Sequence, residues 1–367
     1  MDRALRRSEE RLERVRASRQ FVDGAFRNPT GLGPELQGAK LPVLGEYFFK
    51  RGARVPPGPL PMDRPLEVWQ ARPSSGFRAT WLGHSTVLLE MDGRKILTDP
   101  VFAERISPVS FAGPKRFHPV PVAIGELPLL DLVLLSHDHY DHLCRSTFEA
   151  LARTAVPVVT SLGVGEHLVR FGVDAERITE LDWNESIEIS GLRLTATPAQ
   201  HFSGRGPLSR NRTLWSSWVI QSERRKVFFS GDTGLTSQFE DIGRAHGPFD
   251  LVMLEVGAFH PAWGTIHLGP ENALKAFSML GGGTLLPVHW GTFNLAMHDW
   301  DEPAETLVRL ASEQHARVLT PRLGAPFEPE RVEGPTPWWR EVGRMAELGQ
   351  AHDTRGLSDL SQDPGPR

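Results

Sequence analysis

An α/β fold is what this sequence predicts, and three observations predict it. A dense strand-like region over about residues 77–100 holds Asp92-Gly93 between two β-like runs, a turn signal joining strands. Helix-like and strand-like segments then alternate through Thr147–Arg153, Val156–Thr160 and Val164–Phe171, with strands continuing to about residue 256. Pro270–Leu280 and Pro303–His315 read as helices, each followed by a short apolar run. Periodicity takes the reading to α/β and no further.

The most informative stretch is Ser136-His137-Asp138-His139-Tyr140-Asp141-His142, which follows the apolar run Leu132-Val133-Leu134-Leu135. It packs H-x-H-x-D-H into six residues at the point where a buried strand gives way to a loop, the rim position at which rigid scaffolds present ligands. In extended backbone, residues two apart point the same way, so His137 and His139 can grip one ion. A helix expected from about Leu143 swings Asp141 and His142 towards a second site. Imidazole with carboxylate suits Zn²⁺ best, with Mn²⁺ or Fe as lesser candidates.

Two ions about 3.5–4 Å apart need a bridging carboxylate and further histidines. Candidates stand at the ends of later apolar runs. His201 follows Leu192–Gln200, Asp232 follows Lys226–Gly231, and His289 follows Thr284–Val288. Taken singly, each has an ordinary reading: His201 or His289 as a hydrogen-bonded core histidine, Asp232 as a turn former before Thr233-Gly234. Their order after H-x-H-x-D-H is what points to metal.

That order resembles the metallo-β-lactamase-fold hydrolases over roughly residues 76–330. Six collinear motifs narrow the resemblance: Trp81–Glu90, Leu97-Thr-Asp-Pro-Val-Phe102, Pro198-Ala-Gln-His-Phe202, Leu214-Trp-Ser-Ser-Trp218, Ser230-Gly-Asp-Thr-Gly234 and His289-Trp-Gly-Thr-Phe293. They are similar to the N-acylphosphatidylethanolamine-hydrolysing phospholipase D branch and its bacterial relatives. The resemblance implies an αββα sandwich. It also implies one metal held by His137, His139 and His201, a second by Asp141, His142 and His289, and Asp232 bridging both. All seven positions are present, which argues against the single-iron oxygenases and the diiron flavoproteins of the same fold.

The expected organisation is an N-terminal extension at 1–75 that packs on the core, a hydrolase domain at 76–335, and a polar C-terminal tail at 336–367, partly disordered. The extension ends in the proline-rich Val55–Pro61. Within it, Leu41–Phe49 is an apolar patch beside Lys50, Arg51 and Arg54. It could dock on an anionic membrane surface, although three adjacent aromatics more often anchor an extension onto its own core. Residues 1–20 are rich in arginine and glutamate without an apolar core, which fits a surface helix or frayed arm rather than a leader. No apolar run is long enough to span a membrane. A cytoplasmic protein, at most peripheral to a membrane, is the expectation.

The net charge of −4 gives no reason to expect nucleic acid as a partner. The single cysteine, Cys144, excludes an intramolecular disulfide framework and reads as a small buried hydrophobe rather than a ligand.

Substrate-binding candidates are Arg205, Arg210 and Arg212, in the loop directly after His201, where guanidinium groups could grip a phosphate. The loop at 102–120, with Arg105, Lys115, Arg116 and His118, reads instead as solvated. His84, in the turn Gly83-His84-Ser85-Thr86, could support a ligand, and Glu255 at a strand end could orient a neighbour. His267 matches a position that the resemblance puts close to substrate, where it could donate a hydrogen bond to the phosphoryl group or leaving oxygen.

The catalytic candidates are therefore Asp141, Asp232 and His267. A bridged pair of ions would lower the pKa of a water, with Asp141 orienting it. The expected activity is a zinc-dependent phosphodiesterase of phospholipase D type, acting on N-acylphosphatidylethanolamine-like lipids. Hydrolysis of a small soluble ester, lactone or phosphodiester is the alternative, because the constellation specifies a nucleophile and not a substrate. A metal-dependent binding protein without turnover is the reading from another class.

Overall fold

The computed structural model describes residues 2–31, 53–109, 111–206 and 208–342. The apolar patch Leu41–Phe49 with Lys50 and Arg51, and the tail residues Ser358–Arg367, lie outside the described residues.

The chain opens with helix α1 (Asp2–Ala17) and a small hairpin, β1 (Phe21–Val22) and β2 (Ala25–Phe26). Six strands of a seven-stranded sheet follow: β3 (Phe77–Gly83), β4 (Thr86–Met91), β5 (Arg94–Thr98), β6 (Leu132–Leu135), β7 (Val158–Ser161) and β8 (Ile178–Leu181). Helices α2 (Arg145–Leu151) and α3 (Gly165–Arg170) are interleaved with it. The second sheet has six strands: β9 (Ser186–Ile189), β10 (Leu192–Thr197), β11 (Ser217–Gln221), β12 (Lys226–Phe229), β13 (Leu251–Glu255) and β14 (Leu285–Val288). Helices α4 (Gln238–His246), α5 (Gly269–Met279) and α6 (Glu302–Glu313) accompany it, and β15 (Pro326–Phe327) returns to pair with β3 in the first sheet.

Each sheet begins antiparallel and turns parallel. In the first, β3–β4–β5 are antiparallel and β5–β6–β7–β8 parallel. In the second, β9 to β12 are antiparallel and β12–β13–β14 parallel. Covered on both faces, the parallel strands carry unbroken apolar runs such as Leu132–Leu135 and Leu251–Leu254, buried throughout. The edge strand β9 alternates exposed and half-buried residues, as an edge can.

Trp81, Leu89 and Leu134 of one sheet share a core cluster with Trp218, Phe228 and Leu254 of the other, to which α4, α5 and α6 add Phe239, Leu274 and Leu307. On the far side of the first sheet, Phe148 and Leu151 of α2 and Leu168 of α3 pack on Leu88, Leu97 and Val133. This is the αββα sandwich. Both prolines that announced helices sit in the first turn, at Pro270 of α5 and Pro303 of α6, where a missing N–H costs nothing.

Two local features differ from the sequence reading. The first β-like run is split by His84, whose φ of 52° turns the chain between β3 and β4. The packed body also runs past residue 335. Trp338 and Trp339 are 0% and 1% exposed, with Trp338 stacked on Trp290 at 5.5 Å between ring centroids. Residues 336–342, expected in the polar tail, thus belong to the packed body, because two indoles fill space left beside Trp81 and Trp290 and Val342 is buried with them.

Among the described residues, no helix is long and apolar enough to cross a membrane.

Candidate metal centre

The strand ends explain where the site lies. β6 runs into His137, His139, Asp141 and His142; β10 leads to His201, β12 to Asp232 and β14 to His289. All are parallel or inner strands whose carboxyl ends open on the same rim. The close approach there demands glycine at position 234, where a Cβ would fall 1.5 Å from the Thr265 carbonyl oxygen.

The ligand atoms of His137, His139, His201 and Asp232 lie within 4.8 Å of one another, as do those of His84, Asp141, His142 and His289. Asp232 stands between the sets. Its Oδ2 is 3.2 Å from His142 Nε2 and 3.6 Å from His201 Nε2, while its Oδ1 is 3.2 Å from His289 Nε2. Asp141 Oδ2 is 3.4 Å from His289 Nε2.

The outward ring nitrogens decide what the inward ones present. Ser136 Oγ donates to Asp99 Oδ2 (2.6 Å), so it accepts from His137 Nδ1 (2.9 Å). His142 Nδ1 donates to the same carboxylate at 2.6 Å, and His201 Nδ1 donates to the Ile266 carbonyl at 3.0 Å. Each proton fixed outside leaves a lone pair on the inward Nε2 of the neutral ring. Yet His137 Nε2 and His201 Nε2 lie 2.9 and 3.2 Å from His139 Nδ1. His142 Nε2, His289 Nε2 and Asp232 Oδ1 are buried without a hydrogen-bond partner of good geometry. Convergent lone pairs and an orphaned carboxylate oxygen are costly unless a cation sits among them. The residues fit divalent metal, with nitrogen and oxygen donors only.

Electrostatics agree. Burial disfavours charge on every ring. At His142, nevertheless, Asp232, Asp141 and Asp99 outweigh burial and hold the pKa well above its usual value. At His289, Asp232 and Asp141 do the same, to about 10. At His137, burial and the neighbouring rings outweigh Asp232 and push the pKa well below the usual range. His84 is lowered to about 3 by burial and by His289. Against the cost of burial, both Asp141 and Asp232 are held well below the usual carboxylate range by the histidines around them. Positive charge is drawn to the two carboxylates.

The centre floors a cavity of about 680 Å³. Phe202, Trp263, Ile266 and Leu295 give it apolar walls, with Arg210 and His267 also on its lining. Glu255, fully buried, accepts from His267 Nδ1 at 3.1 Å and from the Leu268 amide at 2.9 Å. Burial opposes charge on His267, and Glu255 overcomes it to raise the ring's pKa.

The other candidates fall elsewhere. Arg205 stacks on the Tyr140 ring at 3.9 Å and spends Nη1 on the carbonyls of Asp138 and Leu143, off the cavity lining. Arg212 reaches back to the β1–β2 turn, 3.5 Å from the Cβ position of Gly24. His84 lies behind the centre and holds Asp141 Oδ2 at 3.1 Å. Cys144 is buried just ahead of α2 and meets Ser146 at 3.4 Å.

Sequence reasoning passes over Asp99 and Asn28. Asp99, in Leu97-Thr-Asp-Pro-Val-Phe102, serves Ser136 and His142 together; a carboxylate after an apolar run and before proline is its only signal. Asn28 bonds the backbone of His201, and nothing in the local sequence marks it.

Known proteins are similar in sequence and in fold. Residues 94–290 match the family described as the β-lactamase superfamily domain. An uncharacterized protein of Mycobacterium tuberculosis is 43% identical over 88% of this chain and 88% of its own length. The N-acyl-phosphatidylethanolamine-hydrolyzing phospholipase D 1 of Caenorhabditis elegans is 38% identical over 64% of this chain and 70% of its own. Among solved structures, a metallo hydrolase from the archaeon Ignicoccus hospitalis aligns with a TM-score of 0.52 at 23% identity, covering 69% of this chain and 98% of that one.

Proposed function

Because the chain belongs to the β-lactamase superfamily and is a metal-dependent hydrolase, we propose that it is a binuclear zinc phosphodiesterase of phospholipase D type. The proposed substrate is an N-acylphosphatidylethanolamine-like lipid. The observation that carries the reading is two convergent His/Asp clusters, with Asp232 between them, at the floor of a largely apolar-walled cavity of about 680 Å³. Such walls suit acyl chains, and the likeness to the Caenorhabditis elegans phospholipase supports the lipid as the class.

In this reading His137, His139 and His201 would hold one ion, Asp141, His142 and His289 would hold the other, and Asp232 would serve both. When bound, the pair supplies Lewis acidity and a nucleophile available at neutral pH. The rest is done by the chain. Asp141 is oriented by His84, whose Nε2 donates to Oδ2, and is the group placed to receive the proton of the attacking water. His267 gives Nδ1 to Glu255, which leaves Nε2 to hold a proton for the departing oxygen. Apolar side chains around the mouth keep bulk water from competing. Water and the phosphodiester yield an N-acylethanolamine and phosphatidic acid, with cleavage of the bond between phosphorus and the ethanolamine oxygen. Arg210, on the cavity lining, is the arginine that best fits the substrate phosphate.

The test is product analysis by mass spectrometry with zinc-loaded protein and N-acylphosphatidylethanolamine, beside Asp232→Asn. Release of N-acylethanolamine with phosphatidic acid, lost in the variant, is the expected result. Cleavage of a simple activated phosphodiester without lipid turnover would overturn the lipid assignment and direct the search to small soluble substrates.

A further inference from the structure

The arm that precedes the sandwich reaches the metal centre. Asn28, 8% exposed, donates from Nδ2 to the His201 carbonyl at 2.8 Å and accepts the His201 amide at Oδ1 at 2.9 Å. One side chain thus occupies both backbone groups of one residue, as a neighbouring strand would. It does so four residues beyond the end of β10, after Pro198. Next to it, Thr30 Oγ1 donates to Gln200 Oε1 at 2.9 Å, and the Phe26 amide donates to the Asn211 carbonyl at 2.8 Å. The arm therefore grips the segment that carries His201 and the loop that follows it along the cavity.

What holds the arm is equally explicit. Arg7, Arg11 and Arg14 share a face of α1 by their spacing. Arg7 pairs with Glu176 at 2.6 Å, Arg11 Nη2 donates to the Ala175 carbonyl at 2.9 Å, and Arg14 bonds the Glu180 carbonyl at 2.5 Å and pairs with Glu185. Val15 and Phe26 are buried against Leu162, Trp183, Leu214 and Trp215. A helix fastened at one end and an amide seated at the other give the arm a defined reach.

We propose that Asn28 is a positioning residue of the centre, setting His201 through its backbone, while Arg14 is one of several contacts that only hold the arm. The His201 ring is aimed by two restraints: Ile266 on its Nδ1 and Asn28 on its backbone. Removing the second lets the residue drift, and a ligand misplaced by a fraction of an ångström binds metal less well. The inference rests on His201 being a ligand, as in the reading above.

The experiment titrates cobalt(II) alone into metal-depleted full-length protein, following the visible absorption bands and the affinity by chelator competition. It compares Asn28→Ala, Asn28→Asp and Arg14→Ala. The last removes arm contacts without touching His201. Asn28→Asp keeps an acceptor for the His201 amide but has no donor for its carbonyl, and it carries the test if the alanine variant does not fold. We expect about 10-fold or more loss of cobalt affinity in Asn28→Ala, with altered bands. A smaller loss is expected in Asn28→Asp, and no change in Arg14→Ala even where its melting temperature falls as far. Wild-type affinity and bands in both Asn28 variants would overturn the proposal, as would a loss in Arg14→Ala equal to that in Asn28→Ala. Wild-type protein that takes up no cobalt would sink the metal reading itself, a different failure.

Discussion

Asp99 Oδ2 lies 2.6 Å from His142 Nδ1, and both side chains are fully buried. The same carboxylate takes the Ser136 amide and hydroxyl, so one acid at the end of β5 orients two histidines at the end of β6. In Asp99→Asn a single amide oxygen faces three donors, and an NH₂ group opposes one of them. Zinc affinity is expected to fall by roughly 10- to 100-fold. Competition with a chromogenic chelator measures it, and circular dichroism checks that the fold is retained.

Gly257 carries the next prediction. A Cβ there would lie 2.0 Å from the His289 carbonyl oxygen, backbone that cannot swing aside as a side chain would. Gly257→Ala therefore displaces His289 or the β13 exit. A loss of stability of about 1–3 kcal/mol is expected, together with reduced metal content by elemental analysis. Unchanged content and melting temperature would show that the strand ends have slack.

Much of the centre is legible in the residues alone. His137 to His142 announce themselves because their spacing is local, and His201, Asp232 and His289 because each ends an apolar run. Asn28 is not legible: its partner stands 173 residues away and is a backbone group, which no side-chain pattern encodes. Arg205 misleads for a related reason. An arginine beside a ligand reads as an anion grip, but the Tyr140 ring and two carbonyls take it first. The alternation of strands and helices conveys an α/β fold; the split into two sheets depends on which strands pair, a long-range matter.

Trp338 tests the corrected C-terminal boundary. It is fully buried, stacked on Trp290, and donates from Nε1 to the Pro321 carbonyl at 3.1 Å. Trp338→Ala is expected to cost about 3–5 kcal/mol, read from urea unfolding. A cost near zero would return residues 336–342 to the tail.

Glu328 sets a pH dependence remote from the centre. It accepts from the amides of Ser74 and Ser75, at 3.0 and 2.8 Å, and from the Ser74 hydroxyl. Partial burial alone would raise its carboxyl, but the donors of Ser75 and Ser74 outweigh it and lower the pKa to about 2. A depressed carboxylate stabilises the fold above its unfolded value, and the benefit fades as pH falls towards the folded one. Glu328→Gln is expected to cost about 1 kcal/mol at pH 7, discounted for solvent screening. The gap to wild type should narrow between about pH 4.5 and pH 2. Melting temperatures of both proteins across that window decide it; a constant gap would assign the loss to packing.

The division of the ligands between strands has a temporal side. His137, His139, Asp141 and His142 leave β6 of the first sheet, whereas His201, Asp232 and His289 leave β10, β12 and β14 of the second. A chain emerging from the ribosome therefore displays its H-x-H-x-D-H cluster long before the remaining grip is synthesised. The centre closes only once β14 has been laid beside β13, which makes its assembly a sign that the two halves of the polypeptide have found each other.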